Sequence, residues 1–191
     1  MTRHAQEEAT SKLDIISHSS TQTQRLGVRL GELLRGGELL LLEGQLGTGK
    51  TTFTQGLAQG MGITEDISSP TFTLLKEYAG QEGQVVSTRE PEQTSAAQQL
   101  ARPALYHFDL YRLDDPEEIL DLGFEDYFYS SGVCVVEWAD KADLLWPTEH
   151  LRIRLKMLNE TKRGLLFIAV GTHYCELLQQ FQKKTYVTTS S

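Results

Sequence analysis

An α/β fold, with helices flanking a mixed parallel and antiparallel sheet, is predicted by three observations. After an opening helix, strand-like and helix-like segments follow one another in the order β-α-β-β-α-β-β-β-α. The segment Glu38–Glu43 (ELLLLE) is short and apolar inside, as a strand covered on both faces must be. Near the C-terminus, Leu151–Leu158 alternates basic and apolar residues, Asn159–Arg163 turns it, and Leu165–Val170 returns, as in an antiparallel hairpin.

Taken in order, residues 1–19 are polar and mixed in charge and read as a disordered extension. Ser20 or Thr21 offers an N-cap. Leu26, Leu30, Leu33 and Leu34 then follow at helix spacing until Gly36 and Gly37. Lys50–Met61 has helical character and stops at Gly62, and Thr71–Tyr78 alternates as a strand. Residues 80–103 are rich in Gln, Glu, Ser, Thr and Gly. They have too little apolar surface to offset the entropy of ordering, so a disordered insertion is expected. Ala104–Asp109 (ALYHFD) is a strand. Asp114 or Asp115 caps a helix with Pro116 in its first turn and Gly123 at its close. Val133–Glu137 (VCVVE) is an apolar strand, the hairpin follows, and a last helix spans about His173 to Lys183. Residues 20–184 thus form one domain, and 185–191 a polar tail.

Composition narrows the class. With 191 residues, 39% hydrophobic and 23% charged, the chain can bury a core without disulfide staples. Cys134 and Cys175 are the only cysteines, which excludes a disulfide scaffold and suits a reduced cytoplasmic setting. No apolar run, the four leucines of Leu39–Leu42 included, approaches the roughly 20 residues of a membrane span. The first residues, MTRHAQEEAT, lack the apolar core of a signal peptide. A net charge of -8 argues against gripping RNA or DNA unaided.

The sharpest motif is Gly44-Gln45-Leu46-Gly47-Thr48-Gly49-Lys50-Thr51, which fits G-x-x-x-x-G-K-[ST] between a strand and a helix. This makes the domain a P-loop NTPase. The glycines let the backbone wrap a phosphate with its N–H groups pointing inward. Leu46, Gly47, Thr48, Gly49, Lys50, Thr51 and Thr52 are the expected nucleotide-binding residues. Lys50 brings a charge to the β and γ phosphates, Thr51 a hydroxyl to Mg²⁺, and the helix its positive end. Such a loop also needs an acid at the end of a buried strand, for the metal and the attacking water. Two strands qualify, ending in Asp109 and Glu137, and position alone does not say which acid touches the metal. Ser69-Pro70-Thr71 lies where P-loop switches carry the loop that senses the γ-phosphate.

These stretches together resemble one family, the bacterial TsaE (YjeE) ATPases. The resemblance is carried by GQLGTGKTT (44–52), SPTFTL (69–74), YHFDLYRL (106–113), DPEE (115–118) and VVEWAD (135–140). It implies ATP hydrolysis in the formation of threonylcarbamoyladenosine beside the tRNA anticodon, with the TsaD–TsaB transferase pair as partners and tRNA contacted only through them. By the same resemblance, Thr51 and Glu137 are Mg²⁺ ligands. Lys50, Asp109 and Glu137 are the catalytic residues, Trp138 packs beside the site, and Ser69, Pro70 and Thr71 form a switch-like loop. Ser20, Thr21 and the Lys162–Arg163 turn fall on the nucleobase side.

Other residues read more plainly. His107 is a packed core residue, Cys134 an inert buried thiol, and Trp146-Pro147 a loop contact. Eleven acids and two basic residues lie between Asp109 and Asp143, against seven basic residues and two acids between His150 and Lys184. That asymmetry is either two solvated faces or an acidic docking face beside a basic hairpin. A small-molecule kinase and a nucleotide-dependent binding switch compete with the partner-coupled ATPase. A kinase needs an arginine-bearing lid, and Arg112 is the only arginine near the acidic strand ends, with Arg89 and Arg102 in the insertion.

Overall fold

The computed structural model describes residues 9–80, 102–113, 115 and 123–187. Its strands are β1 (Thr10–Ser17), β2 (Leu39–Glu43), β3 (Leu75–Tyr78), β4 (Leu105–Asp109), β5 (Val133–Glu137), β6 (His150–Met157) and β7 (Arg163–Val170). They form one sheet in the order β1-β7-β6-β2-β5-β4-β3. β2 is parallel to both β5 and β6, and β4 is parallel to β5. The outer pairs β3–β4, β6–β7 and β1–β7 are antiparallel. Every residue of β2 and β5 is buried, as expected of central parallel strands with both faces covered.

Helices α1 (Ser20–Gly31), α2 (Lys50–Gly60) and α4 (Thr172–Val187) cover one face, over a core that includes Leu30, Phe53, Leu57, Phe167 and Phe181. The other face carries the short helix α3 (Glu125–Phe128) and the 3₁₀ segment Ala139–Leu145. Their smaller core is built on Phe108, whose ring meets Phe124, Tyr127 and Phe128 edge-on.

The structure corrects several sequence expectations. Residues 10–17 are not a frayed extension. They form β1 and pair along their whole length with β7, from Thr10↔Val170 to Ser17↔Arg163. Within β1 buried Leu13, Ile15 and Ser17 alternate with exposed neighbours, a period of two that polar content masks. The cap of α1 is Ser19 rather than Ser20 or Thr21: its hydroxyl accepts from Gln22 N–H at 3.1 Å, while Gln22 Oε1 accepts from His18 N–H at 2.7 Å. Residues 71–73 are a turn, and β3 begins only at Leu75, just after Leu74 at φ 63°. α4 runs on to Val187, so 185–187 are helical rather than tail.

Arg102 is not adrift in an insertion. Its Nη1 donates to Gly60 O at 2.9 Å, satisfying a carbonyl at the end of α2. The expected disorder of 81–101, the helix after Pro116 and the ends 1–8 and 188–191 fall outside the described residues.

One feature of the helix layer was not anticipated. Gly27 and Gly31 of α1 face Gly56 and Gly60 of α2. A Cβ on Gly27 would stand 2.2 Å from Phe53 O, on Gly31 2.1 Å from Leu57 O, on Gly56 2.0 Å from Gln24 O and on Gly60 2.1 Å from Val28 O. Backbone meets backbone along this seam, and a backbone cannot yield as a flexible side chain can. Gly27→Ala and Gly56→Ala should each lower the unfolding free energy by about 1–3 kcal/mol through overpacking. In an unconstrained helix the same exchange would add about 1 kcal/mol. Urea unfolding midpoints check this, and an unchanged or raised midpoint would show that the seam can open freely.

Candidate nucleotide site

The phosphate loop is built by its glycines. Gly44, Gly47 and Gly49 have φ of 142°, 78° and 100°, values that side chains resist. Thr48 closes the turn, donating from its hydroxyl to Gln45 O at 2.8 Å. Gly49 is the cap residue of α2, so the first amides of that helix open into the loop. The loop opens onto a cavity of about 370 Å³ lined by Leu46, Gly47, Gly49, Lys50, Thr51 and Thr52, with Ser69, Thr71, Asp109, Tyr111, Glu137 and Trp138 across from them.

Lys50 is only 4% exposed, more enclosed than a lysine reaching into solvent would be. Its Nζ donates to Gly44 O at 2.6 Å and Gln45 O at 3.1 Å, and it stands 3.7 Å from the centre of the Trp138 ring. Burial pushes the Lys50 pKa below its usual value, while Glu137, Asp109 and Asp140 push it back up. Trp138 takes this place through a left-handed backbone, φ 61°, directly after β5, and its ring also packs on Tyr111 at 5.0 Å. Reaching phosphate oxygens requires Nζ to exchange its two carbonyls.

The two acids come together as the parallel strands dictate, because Asp109 and Glu137 are register partners at the ends of β4 and β5. Each is 2% exposed. Glu137 Oε2 accepts from the Thr51 hydroxyl at 3.0 Å. Oε1 lies 2.9 Å from His107 Nε2 and 3.4 Å from Thr54 Oγ1. Asp109 instead holds the Ser69–Thr71 loop: Oδ2 accepts from the hydroxyls of Ser69 and, at 2.9 Å, Thr71, while Oδ1 accepts from Tyr111 N–H at 2.9 Å. Pro70 shapes that turn, its carbonyl accepting from Thr73 and Leu74 N–H at 3.0 and 2.8 Å.

Arg163 reaches the loop from the β6–β7 turn, with Nη2 3.5 Å from Gly47 O and Nη1 on three turn carbonyls. Ser20 and Thr21 do not line the cavity. They open α1, three and two residues before Thr23, whose methyl group lies 3.7 Å from a Cβ placed on Gly49. Arg112 does not line the cavity, and its guanidinium lies 4.1 Å from the centre of the Phe72 ring.

Four participants escaped the sequence reading: Thr54, Tyr111, the ring of Phe72, and His107 as a partner of Glu137. Only His107 left a trace, its separation of two residues from Asp109, which puts both on one strand face.

The family model described as threonylcarbamoyl adenosine biosynthesis protein TsaE matches residues 17–165. The tRNA threonylcarbamoyladenosine biosynthesis protein TsaE of Bacillus subtilis is 38% identical over 162 residues, 85% of this chain and 89% of that protein. Its counterpart in Treponema pallidum is 38% identical over 150 residues, 78% of this chain and 96% of that one. The crystal structure of Bacillus subtilis YdiB superposes with a TM-score of 0.71 at 31% identity, covering 92% of this chain and 97% of that one. Matched by that model over most of its length, the chain belongs to the TsaE family of tRNA threonylcarbamoyladenosine biosynthesis proteins, nucleotide-binding ATPases.

Proposed function

We propose that this chain hydrolyses ATP in a Mg²⁺-dependent reaction, slowly alone and faster on the TsaD–TsaB pair, during threonylcarbamoyladenosine formation on tRNA in the cytoplasm. The observation that carries the reading is the meeting of Lys50 and Thr51 with Asp109 and Glu137 at one edge of the parallel strands. The phosphates lie along the amides of Leu46 to Thr52, with Lys50 Nζ between the β and γ groups. Arg163, whose Nη2 lies 3.5 Å from Gly47 O, marks the nucleobase side.

The donor set suits Mg²⁺, a hard cation that prefers oxygen ligands. Thr51 and Glu137 would hold it, their oxygens already 3.0 Å apart. Among the described residues no group of three or more His, Cys, Asp or Glu is arranged to hold a metal. That fits an ion completed by phosphate and water rather than by a protein cage. When bound, Mg²⁺ neutralises charge gathering on the β and γ phosphates. Asp109 orients the attacking water and takes its proton.

Two features support slow turnover without partners. Asp109 Oδ2 is engaged by Ser69 and Thr71, whose hydroxyls compete with an attacking water for it until that loop moves. Arg112, the arginine best placed by sequence, rests on Phe72. Docking of TsaD–TsaB that shifts the loop addresses both at once. Transfer RNA enters through those partners: Arg152 and Arg154 are both paired with Glu43, so these two arginines of the basic hairpin are already engaged. Among the described residues no helix is long and apolar enough to cross a membrane.

Lys50→Met, which removes the ammonium but keeps an unbranched side chain, should cut ATP turnover by about 10²-fold or more while circular dichroism stays native. Turnover at the wild-type rate would defeat the ATPase reading. Titrating ADP with and without Mg²⁺ separates the acids: Glu137→Ala should lose the Mg²⁺-dependent part of binding, whereas Asp109→Ala should retain it and lose turnover. Loss of metal dependence in Asp109→Ala alone would exchange the two roles. Steady-state ATP turnover should rise when the TsaD–TsaB pair is added to the isolated protein. A fast basal rate indifferent to the pair would mean that the site is complete by itself.

A further inference from the structure

His107 has no solvent-exposed surface, and the reading above gives it no task. It precedes Asp109 by two residues on β4 and so shares its face of the sheet. Glu137 is the register partner of Asp109, which places His107 diagonally across from it. The imidazole Nε2 lies 2.9 Å from Glu137 Oε1, and Nδ1 is buried without a hydrogen-bond partner. An ionised carboxylate only accepts, so Nε2–H is the donor in this contact, while Nδ1 is left without a partner. An apolar side chain would fill the space without that penalty, so burying the ring needs another explanation.

The geometry of Glu137 supplies one. Its Oε2 faces the Thr51 hydroxyl at 3.0 Å, while Oε1 is turned inward. The other inward contact, from Thr54 Oγ1, is longer at 3.4 Å, and that hydroxyl also donates to Lys50 O at 3.1 Å. Resting on the reading of Glu137 as the metal carboxylate, we propose that His107 is a positioning residue whose Nε2–H holds Oε1 inward, so that Oε2 is presented beside Thr51 where Mg²⁺ and the phosphates meet. Hydrogen-bond partners that orient a metal-binding carboxylate act this way in many metal sites.

The test compares His107→Leu, which removes the donor, with His107→Gln, whose amide nitrogen falls near the position of Nε2. ADP affinity is measured by calorimetry in Mg²⁺ and in EDTA, alongside the thermal midpoint of each variant. His107→Leu should weaken Mg²⁺-dependent binding by about 10-fold or more while affinity in EDTA stays close to wild type. His107→Gln should recover most of the loss. If the leucine variant does not fold, His107→Asn, polar but too short to reach Oε1, carries the same expectation. Equal losses in Mg²⁺ and EDTA, or no recovery with glutamine, would reduce His107 to packing and overturn the proposal. Full Mg²⁺ dependence in the leucine variant would overturn it too, leaving the role of Glu137 intact. Wild-type protein indifferent to Mg²⁺ would instead bring down the metal reading of Glu137, and this proposal with it.

Discussion

A carboxylate at the end of a strand buried on both faces must be compensated, and the site is organised around the compensation of Glu137. An unpaired charge in such a place is strongly destabilising. Its partners come from two elements: Thr51 and Thr54 from α2, and His107 from β4. Lys50 adds a nearby positive charge, itself lowered in pKa by the same burial. Satisfying one carboxylate therefore docks the phosphate-loop helix onto the two strands that carry the acids. Binding geometry and folding are joined at that point.

The glycine seam between α1 and α2 sets how closely this assembly can pack. Helices whose backbones touch leave little freedom to slide, so α2 is fixed against α1 as well as against β5. α1 in turn brings Thr23 next to Gly49. At the root of the loop, Glu43 lies between Arg152 and Arg154, and Arg152 also reaches Asp143. The phosphate loop is thus tied at its root and beyond its end. The Ser69–Thr71 loop is attached mainly through hydroxyls to Asp109 and is the more easily displaced part.

Charge counted along the chain does not translate directly into surface charge. Of the acids between Asp109 and Asp143, two are the buried site carboxylates and a third pairs with Arg152. Arg163 is held by the carbonyls of its own turn. Arg152 and Arg154 pair with Glu43, and Arg152 also with Asp143, so part of the contrast is internal pairing. Linear charge patterning cannot register this, because the partners lie far apart in sequence.

What the residues determined alone was what depends on short stretches. Gly44 to Thr51 announces a phosphate loop because a backbone that wraps an anion needs glycine at fixed steps. ELLLLE and VCVVE announce central strands because both their faces must exclude water. Asp109 and Glu137 followed as strand-end acids. Cys134 was foreseen as inert, and burial indeed pushes its thiol up to about 12. Tertiary structure alone decided the rest. Thr10–Ser17 becomes a strand only because β7 offers an edge, Lys50 is enclosed only because Trp138 turns over it, and His107 meets Glu137 only through the register of β4 and β5. Each of these is a pairing between distant segments, and the free energy that fixes it does not exist until both are in place.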